Sequence, residues 1–401
     1  MHPLRVVASQ VCAGLGLVMT AVIPGVVSAS NGLNLIGFGT ESAMMGGADV
    51  AVARDTTALN TNPAGLSRLP GPALDAYSAG AYALDVGHRD ALGNDVSVSN
   101  HFIPLGGGGY ARPLTDRITV GAGMFAQGGA GNVFKHVQSG FGTTDELSAL
   151  FGILKFSAGA TWKATDTLAL GVSVAAVYSR VEQRVFPDTS VAGPMPFFGL
   201  QLKAVDGVNG TMKAGALYTP NELWTFGATF TPKARLTMDG GRAIVNLTAV
   251  GLGNVVYHDV RLSGLALPRE VAVGAALQAT QHLLIAVKID WLNWSDALKT
   301  STLTLAGPDQ PAAPPLIASS SALHWRNQTV IAVGVAYAVD DATTVRVGFN
   351  YGRNPAPAET LNPLLASIGE RHFTAGASHR LGGGWEVGAG LEFLPTARVH
   401  Y

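Results

Sequence analysis

From residue 72 onward the chain alternates bulky apolar residues with small or polar ones. In the segment 331–339 every second position holds Ile, Val or Tyr, and Ala or Gly fills the positions between them. The segment 385–393 places Trp, Val, Ala, Leu and Phe on one face and Glu and Gly on the other. A period of two residues predicts β-strands, since successive side chains of a strand point to opposite faces. The chain after residue 72 is therefore predicted to be all-β.

The connections between these strands alternate between short and long. The short ones are rich in turn-forming residues and span 113–116, 164–166, 220–222, 280–282, 340–342 and 382–384. The long ones span 85–97, 128–147, 185–208, 238–267, 295–323 and 353–369. A soluble barrel has no reason to alternate its connections, whereas an outer-membrane barrel has short periplasmic turns and long external loops. The pattern predicts a transmembrane antiparallel β-barrel of the bacterial outer membrane.

The tryptophans follow the same division of the chain. Trp162, Trp224 and Trp385 fall near short turns, whereas Trp291, Trp294 and Trp325 fall near the ends of long loops. These positions predict the inner and outer aromatic girdles of a membrane barrel. Each tryptophan taken alone could instead be a packing residue.

The composition agrees with a membrane barrel. Only 13% of the 401 residues are charged and the mean hydropathy is +0.26, whereas about a quarter of the residues of a soluble protein are charged. No apolar run of about 18 residues occurs after residue 30, so a helical membrane protein is disfavoured. The net charge of −1, without a basic or acidic block, gives no indication of a nucleic-acid partner.

The first 29 residues are predicted to be a secretory signal peptide. Arg5 lies in a short polar start, the stretch 6–27 is apolar, and 27–29 reads Val-Ser-Ala, a small-residue cleavage site. An uncleaved membrane anchor is the alternative, since the apolar stretch is long enough to span a membrane. Cys12 is the only cysteine of the sequence, so the mature protein would have neither disulfides nor thiolate chemistry.

A resemblance to a known family rests first on the stretch Asn31–Gly71. This stretch has a glycine-rich start, the block MGGADVAVARD and the motif Asn-Pro-Ala-Gly-Leu at 62–66. Three further segments, at 218–227, 267–294 and 349–373, carry similar patterns in the same order. Together these segments resemble the FadL/TodX-type outer-membrane transporters, which move long-chain fatty acids and other hydrophobic molecules.

The resemblance implies three parts: a signal peptide at 1–29, a hatch at 30–71 that plugs the lumen, and a barrel at 72–401. Thirteen strands can be counted in the barrel, whereas the family has fourteen and bacterial single-chain barrels normally have an even number. We therefore expect that the sequence is truncated by one loop and one strand. The alternative is a miscount by one within 85–111 or 238–267.

The predicted hatch contains two groups of functional residues. Asn62, Pro63 and Ala64 match the hatch motif of the family, where the proline would fix a rigid turn and Asn62 would bond to neighbouring backbone. Without the resemblance these three residues would be an ordinary turn. Asn31 and Leu33 lie in the N-terminal stretch that the resemblance makes the mobile part in contact with ligand.

An external apolar groove is the first binding site that the resemblance implies. The stretch 191–200 is exceptionally apolar for an external loop, and the long loop that faces it adds further apolar residues. The predicted groove residues are Val191, Met195, Phe197, Phe198, Leu200 and Leu252. An exposed apolar cluster of this kind usually marks binding, although mutual packing of the two loops is the alternative.

A lateral exit is implied through a kink of the third strand. Gly121 and Gly123 lie in this strand, which ends in the glycine-rich stretch 127–131, and glycine within a strand often marks a bend or a bulge. These two glycines are the predicted kink. A flexible entry to the following loop is the alternative.

Three basic residues are predicted to face the lumen. Strand alternation points Lys155, Lys288 and Arg346 inward, where each could bind the carboxylate of a fatty acid. Asp290 and other acids point inward too, so each base could instead neutralise a neighbouring acid.

The predicted function is passive uptake of long-chain fatty acids or similar hydrophobic molecules through the groove, a lumen pocket and the lateral opening. A wide aqueous pore suits such ligands badly, because each exposed methylene costs about 0.8 kcal/mol in water. The alternatives are a general porin or structural barrel and a barrel-embedded lipid hydrolase, although common hydrolase motifs are absent. No cofactor and no metal are predicted. The expected partners are a hydrophobic small molecule and outer-membrane lipid, and the expected state is a monomer.

Overall fold

The computed structural model of the protein describes residues 31–365 and 368–400, so the predicted signal peptide and Tyr401 lie outside it. The strands are β1 Ala73–Tyr82, β2 Gly87–Arg89, β3 Asp95–Ser97, β4 Phe102–Pro113, β5 Ile118–Ala130, β6 Val133–Gln138, β7 Thr144–Lys163, β8 Leu168–Val191, β9 Phe197–Tyr218, β10 Trp224–Thr231, β11 Ala234–Met238, β12 Arg242–Leu247, β13 Gly253–Leu267, β14 Glu270–Gln278, β15 Leu283–Leu292, β16 Thr300–Pro308, β17 Leu316–Ala322, β18 Gln328–Ala338, β19 Thr343–Gly352, β20 Arg371–Arg380 and β21 Glu386–Phe393.

Helices are short and few in the described part of the chain. The α-helices are α1 Gly39–Met44 and α2 Trp294–Ala297, and the 3-10 helices are Thr56–Leu59, Pro63–Arg68, Thr248–Val250, Ala358–Thr360 and Gly382–Gly384. Within residues 31–365 and 368–400, no helix combines the length and the apolar character needed to span a membrane.

Thirteen strands form a continuous antiparallel wall, which confirms the predicted number within the described residues. Successive ladders join β1, β4, β5, β7, β8, β9, β10, β14, β15, β18, β19, β20 and β21. The wall begins at β1, which pairs with β4, and ends at β21, which pairs with β20; the described residues show no ladder between β21 and β1. A fourteenth strand stays a prediction.

The two faces of the wall differ as the alternation predicts. On β14, Val271 and Val273 are 40% and 50% exposed, whereas Ala272 between them is 1% exposed. Outward residues are bulky and apolar, as contact with lipid requires, and inward residues are small or polar and buried.

The tryptophans divide only partly as predicted. Trp162, Trp224 and Trp385 are exposed beside short turns, in the position of an inner girdle. Trp294 and Trp325 are buried, with ring centroids 5.3 Å apart, so their assignment to the outer girdle is wrong. The helix α2 begins at Trp294 directly after β15 and turns this side chain into the core.

The long connections are mostly strands rather than open loops. The predicted loop 185–208 is the clearest correction, since β8 continues to Val191, β9 begins at Phe197, and only 192–196 lies between them. The other hairpins pair side by side, and β12 adds to β9, β13 to β12, β16 to β13 and β17 to β16. The backbone N–H and C=O groups of these outer hairpins form hydrogen bonds with the neighbouring hairpins. The outer segments therefore keep strand geometry beyond the wall.

An extended group of buried apolar residues joins these outer hairpins to the interior of the wall. We call it the apolar cluster. Its members include Leu33, Phe151, Val181, Leu202, Leu236, Tyr257, Leu267, Leu292, Trp294 and Trp325. The cluster therefore runs from the external sheet to the start of the described chain, where Leu33 is 4% exposed.

Candidate functional site in the lumen

Residues 31–69, which we call the N-terminal segment, lie on the inward face of the wall. Helix α1 contacts β1, β19, β20 and β21, and the 3-10 helix at 63–68 contacts β5, β7, β8 and β9. Hydrogen bonds or van der Waals contacts extend to β4, β10, β14, β15 and β18 as well. The N-terminal segment thus contacts every strand of the wall, in the place predicted for the hatch.

The turn at Asn62, Pro63 and Ala64 is held to the wall by its backbone and by one amide side chain. The side chain of Asn62 accepts from Ala64 N at 3.1 Å and donates to the carbonyls of Val50 at 2.7 Å and Ala216 at 3.1 Å. Pro63 occupies the start of a 3-10 helix, where its fixed φ fits. Ala64 is fully buried. The side chain of Asn62 therefore links two parts of the N-terminal segment to each other and to β9.

Wall glycines make room for this turn. A β-carbon at Gly171 of β8 would lie 2.3 Å from Ala64 N, and one at Gly215 of β9 would lie 2.0 Å from Asn62 Oδ1. No side chain fits at either position without moving the turn. The sequence shows these glycines, but it does not show which segment they face.

The start of the N-terminal segment forms backbone hydrogen bonds with β5. Asn34 makes an antiparallel bridge with Gly128, and Gly129 N donates to the carbonyl of Leu33 at 3.1 Å. Asn31 and Leu33 are both buried. A β-carbon at Gly128 would lie 1.9 Å from the carbonyl oxygen of Leu33, so this backbone approach requires glycine.

The irregularity of β5 lies at this contact and not at the predicted kink. The register between β5 and β7 shifts between Ala126 and Gly128. Gly121 and Gly123 pair regularly with Gly159 and Ser157, so placing the kink at these two glycines is wrong. Their lack of a side chain serves close packing, since a β-carbon at 123 would lie 2.8 Å from the ring of Phe125.

The three predicted basic residues are buried, and each has a partner in the N-terminal segment. Lys155 Nζ donates to Asn60 Oδ1 at 2.6 Å, and Lys288 Nζ lies 3.3 Å from Asp49 Oδ1. Arg346 lies 3.3 Å from Glu41 and donates to a wall serine at 2.8 Å. The partners come mainly from the N-terminal segment rather than from acids on neighbouring strands.

Sequence reasoning missed several charged members of this site. Lys213 of β9 pairs with Glu270 of β14 at 2.7 Å. Arg54 and Glu41 pair at 2.5 Å within the N-terminal segment. Strand alternation could have placed Lys213 inward, since it is two residues before Gly215 on the same face. The acids of the N-terminal segment carried no such periodic signal.

The acids near α1 have shifted pKa values. Burial alone would raise the pKa of Glu41, but the guanidinium groups of Arg54 and Arg346 outweigh it and hold this pKa below its ordinary value. Burial raises the pKa of Asp55 to about 7; hydrogen bonding from Thr57 opposes this rise, whereas the nearby charges of Glu41 and Asp75 add to it. Asp55 is therefore partly protonated near neutral pH.

A cavity of about 50 Å³ lies between the N-terminal segment and the wall. The segment contributes Asn31, Asn34, Leu35, Ile36, Phe38, Asp49, Val50, Asn60 and Thr61, and the wall side contributes Gln127, Lys155, Thr211, Lys213, Thr231, Leu267, Pro268, Glu270, Lys288, Asp290 and Leu292. A cavity of about 150 Å³ is enough for benzene. In this conformation the cavity therefore has no room for an aromatic ring or a fatty-acid chain.

The six residues of the predicted outer groove fall into two groups. Phe198, Leu200 and Leu252 pack on the apolar cluster. Met195 is 83% exposed, Val191 and Phe197 are partly buried and paired across the β8–β9 hairpin, and Phe197 stacks on Phe141 with ring centroids 4.6 Å apart. The first group connects the outer sheet to the interior, whereas the second forms the hairpin tip.

The fold and the site together define a class of protein, an outer-membrane β-barrel with its own N-terminal segment packed against the inward face. A family model described as outer membrane protein transport protein (OMPP1/FadL/TodX) matches residues 29–400, and the chain belongs to this family. The predicted family, barrel fold and outer-membrane location are thereby confirmed.

Individual relatives are distant in sequence and similar in fold. Outer membrane protein P1 of Haemophilus influenzae is 21% identical over 320 residues, which cover 73% of this chain and 66% of that protein. The toluene transporter TodX of Pseudomonas putida superposes with a TM-score of 0.76 at 20% identity, covering 92% of this chain and 95% of that one. The toluene transporter TbuX of Ralstonia pickettii gives 0.71 at 22% identity, with 90% and 93% covered. A FadL homologue of Pseudomonas aeruginosa gives 0.67 at 16%, with 91% of each chain covered.

Proposed function

We propose that the protein is a passive outer-membrane channel for small hydrophobic molecules, with a route that runs along the apolar cluster. The continuity of this cluster from Leu200 and Leu252 in the outer sheet to Leu33 in the N-terminal segment carries the proposal. Apolar surface along the whole route keeps a hydrophobic ligand out of water at each step. The toluene transporters TodX and TbuX share the fold.

The N-terminal segment acts as the hatch in this proposal. It contacts every strand of the wall, and the cavity beside it holds only about 50 Å³. A ligand therefore passes only when the stretch around Asn31 and Leu33 moves away from the wall. The exit is the irregular part of β5 at Gly128, where this stretch is bonded through its backbone. A ligand leaving there enters the lipid directly.

The proposal favours hydrophobic ligands over the alternatives. An open porin is less well supported, because a segment in contact with all thirteen strands leaves little space for water. A hydrolase would need a nucleophile and a base side by side, and the family is one of transport proteins. Of the three predicted carboxylate ligands, Lys288 and Arg346 already face acids, which leaves Lys155 as the basic residue without an acid partner among the described residues.

Uptake by intact bacteria tests the proposal. Cells that lack their own channel of this family are supplied with the full-length gene, and entry of radiolabelled toluene and of oleate is followed against cells with an empty vector. We expect faster entry of at least one hydrophobic compound and no faster swelling of proteoliposomes in sugar solutions. Rapid sugar permeation without hydrophobe uptake would show a porin instead.

A further inference from the structure

Four buried oxygen atoms line the lumen cavity without a hydrogen-bond partner in the described part of the chain. They are Asn31 Oδ1, Thr211 Oγ1, Thr231 Oγ1 and Asp290 Oδ1. Asp290 is only 7% exposed, Asn31 5% and Thr231 8%. Buried polar groups are nearly always hydrogen-bonded in native proteins. The two threonine hydroxyls can donate or accept, whereas the oxygens of Asn31 and Asp290 need a donor, so a hydrogen-bond donor is missing beside this cavity.

The lysines around the cavity do not supply that donor. Lys213 pairs with Glu270 at 2.7 Å and Lys288 with Asp49 at 3.3 Å. Among the described residues, the side chain of Asp290 forms neither an ion pair nor a hydrogen bond. With Lys155 the cavity is lined by three lysines and by three acidic residues, Asp49, Glu270 and Asp290. The numbers balance, so the cavity offers no excess of basic groups to an acidic ligand.

This balance decides which polar group a ligand can bring. A carboxylate only accepts hydrogen bonds, so it could pair with the threonine hydroxyls but would leave Asn31 Oδ1 and Asp290 Oδ1 unpaired. A hydroxyl group both donates and accepts. It can donate to Asp290 and accept from the amino group of Lys155, which forms one hydrogen bond, to Asn60.

We propose that the lumen cavity binds the hydroxyl group of a neutral hydrophobic ligand, a phenol or an alcohol, with Asp290 as the acceptor. The cavity of about 50 Å³ accommodates the hydroxyl group, and the apolar body lies along Leu267 and Leu292 on the wall side of the same cavity. The body takes the space that the start of the N-terminal segment now occupies. This inference rests on the proposed function and names the ligand class of the same route.

A matched series of three ligands tests the inference. Toluene, 4-methylphenol and 4-methylbenzoate share one ring and differ in the group opposite the methyl. Binding is measured by calorimetric titration of the purified full-length protein in lipid nanodiscs, with empty nanodiscs subtracted for partitioning. Because a buried acceptor without a hydrogen bond is costly, we expect 4-methylphenol to bind at least about tenfold more tightly than toluene. We expect 4-methylbenzoate to bind most weakly.

Variants at position 290 identify the acceptor. Asp290→Ala is expected to remove the advantage of 4-methylphenol over toluene and to leave toluene binding in place. Asp290→Asn keeps an uncharged acceptor, so it is expected to retain part of the advantage. Asp116→Asn, in an exposed turn, is the control and should behave as wild type. Heat-modifiable migration on gels shows that each variant is folded.

The outcomes separate this inference from the proposed function. If toluene and 4-methylphenol bind equally and the Asp290 variants change nothing, water satisfies the four oxygens and the inference is overturned while the channel proposal stands. If 4-methylbenzoate binds best, Lys155 selects carboxylates and the inference is overturned. If none of the three ligands binds, the proposed function fails as well.

Discussion

Asn62 lies so close to Gly215 of the wall that a β-carbon at position 215 would be 2.0 Å from Asn62 Oδ1. The same asparagine bonds to the carbonyls of Val50 and Ala216. The turn of the N-terminal segment therefore packs directly against the backbone of β9 at Gly215. This contact makes glycine a requirement at position 215 on the inward face of the wall.

Gly215→Ala is expected to displace the turn and to loosen the closed lumen. The added methyl cannot be accommodated by rotation, since Gly215 is in the middle of a regular ladder with β8 and β10. Ion conductance of single channels in planar bilayers should rise severalfold over wild type. Gly210→Ala on the same strand is the matched control, because a β-carbon there meets no atom within 4 Å. Equal conductance of the two variants would contradict the role of the contact.

Gly128→Ala is expected to free the start of the N-terminal segment from β5. The β-carbon would lie 1.9 Å from the carbonyl oxygen of Leu33, and Gly128 has φ +152, which an L side chain rarely adopts. Amide hydrogen exchange of residues 33–36 should become faster. Gly140→Ala, at a position with open space around it, serves as control. Unchanged exchange at 33–36 would mean that other contacts hold this stretch.

Replacing only one member of the buried pair of Lys288 and Asp49 is expected to lower the stability of the protein strongly. Each single variant, Lys288→Met or Asp49→Asn, leaves an uncompensated charge and should destabilise the protein by about 3–5 kcal/mol. The double variant should lose less than the sum of the two. The midpoint of the heat-modifiable gel shift, or unfolding in denaturant, measures all three. Simple additivity would show that the two groups do not interact.

Asp55 is expected to make stability depend on pH. Its pKa is raised from 3.8 to about 7 in the folded protein, so the folded state binds this proton more tightly than the unfolded state. The resulting stabilisation is complete below pH 3.8 and is lost as the pH rises through about 7. The melting temperature of wild type should therefore fall between about pH 5 and pH 8.

Asp55→Asn should remove this part of the pH dependence, because an amide does not titrate in this range. Its melting temperature should fall less than that of wild type over the same pH interval. Asp116→Asn in an exposed turn should follow the wild-type curve. Parallel curves for wild type and Asp55→Asn would assign the dependence to other groups.

Strand alternation made the wall predictable, because the period of two residues is a local property of the sequence. It also placed Lys155, Lys288 and Arg346 on the inward face, where the structure has them buried. The partners of these residues were not predictable. Asp49, Glu41 and Asn60 reach them only through the path of the N-terminal segment, which depends on contacts distant in sequence.

Two errors have a common physical reason. Residue composition alone predicts a kink at Gly121 and Gly123 and an open loop at 185–208. Glycine permits a bend without requiring one, and in β5 the register shifts after Ala126, where Leu33 and Asn34 bond to the strand. A loop becomes a strand when a neighbouring hairpin offers hydrogen bonds, as β12 does for β9. The sequence of β5 does not show that the N-terminal segment bonds to it, and the sequence 185–208 does not show that β12 pairs with β9.

We propose that ligand passes only when the N-terminal segment leaves the wall, and a reversible cross-link between the two tests this proposal. Gln127 Nε2 donates to Asn34 Oδ1 at 3.3 Å, so cysteines at these two positions would face each other. The only native cysteine, Cys12, lies in the predicted signal peptide. Cells carrying Asn34→Cys and Gln127→Cys are treated with a short bis-methanethiosulfonate cross-linker, and toluene uptake is measured before and after dithiothreitol. We expect cross-linking to stop uptake and reduction to restore it, while each single variant is unaffected. Undiminished uptake through the fully cross-linked protein would show that the segment need not move.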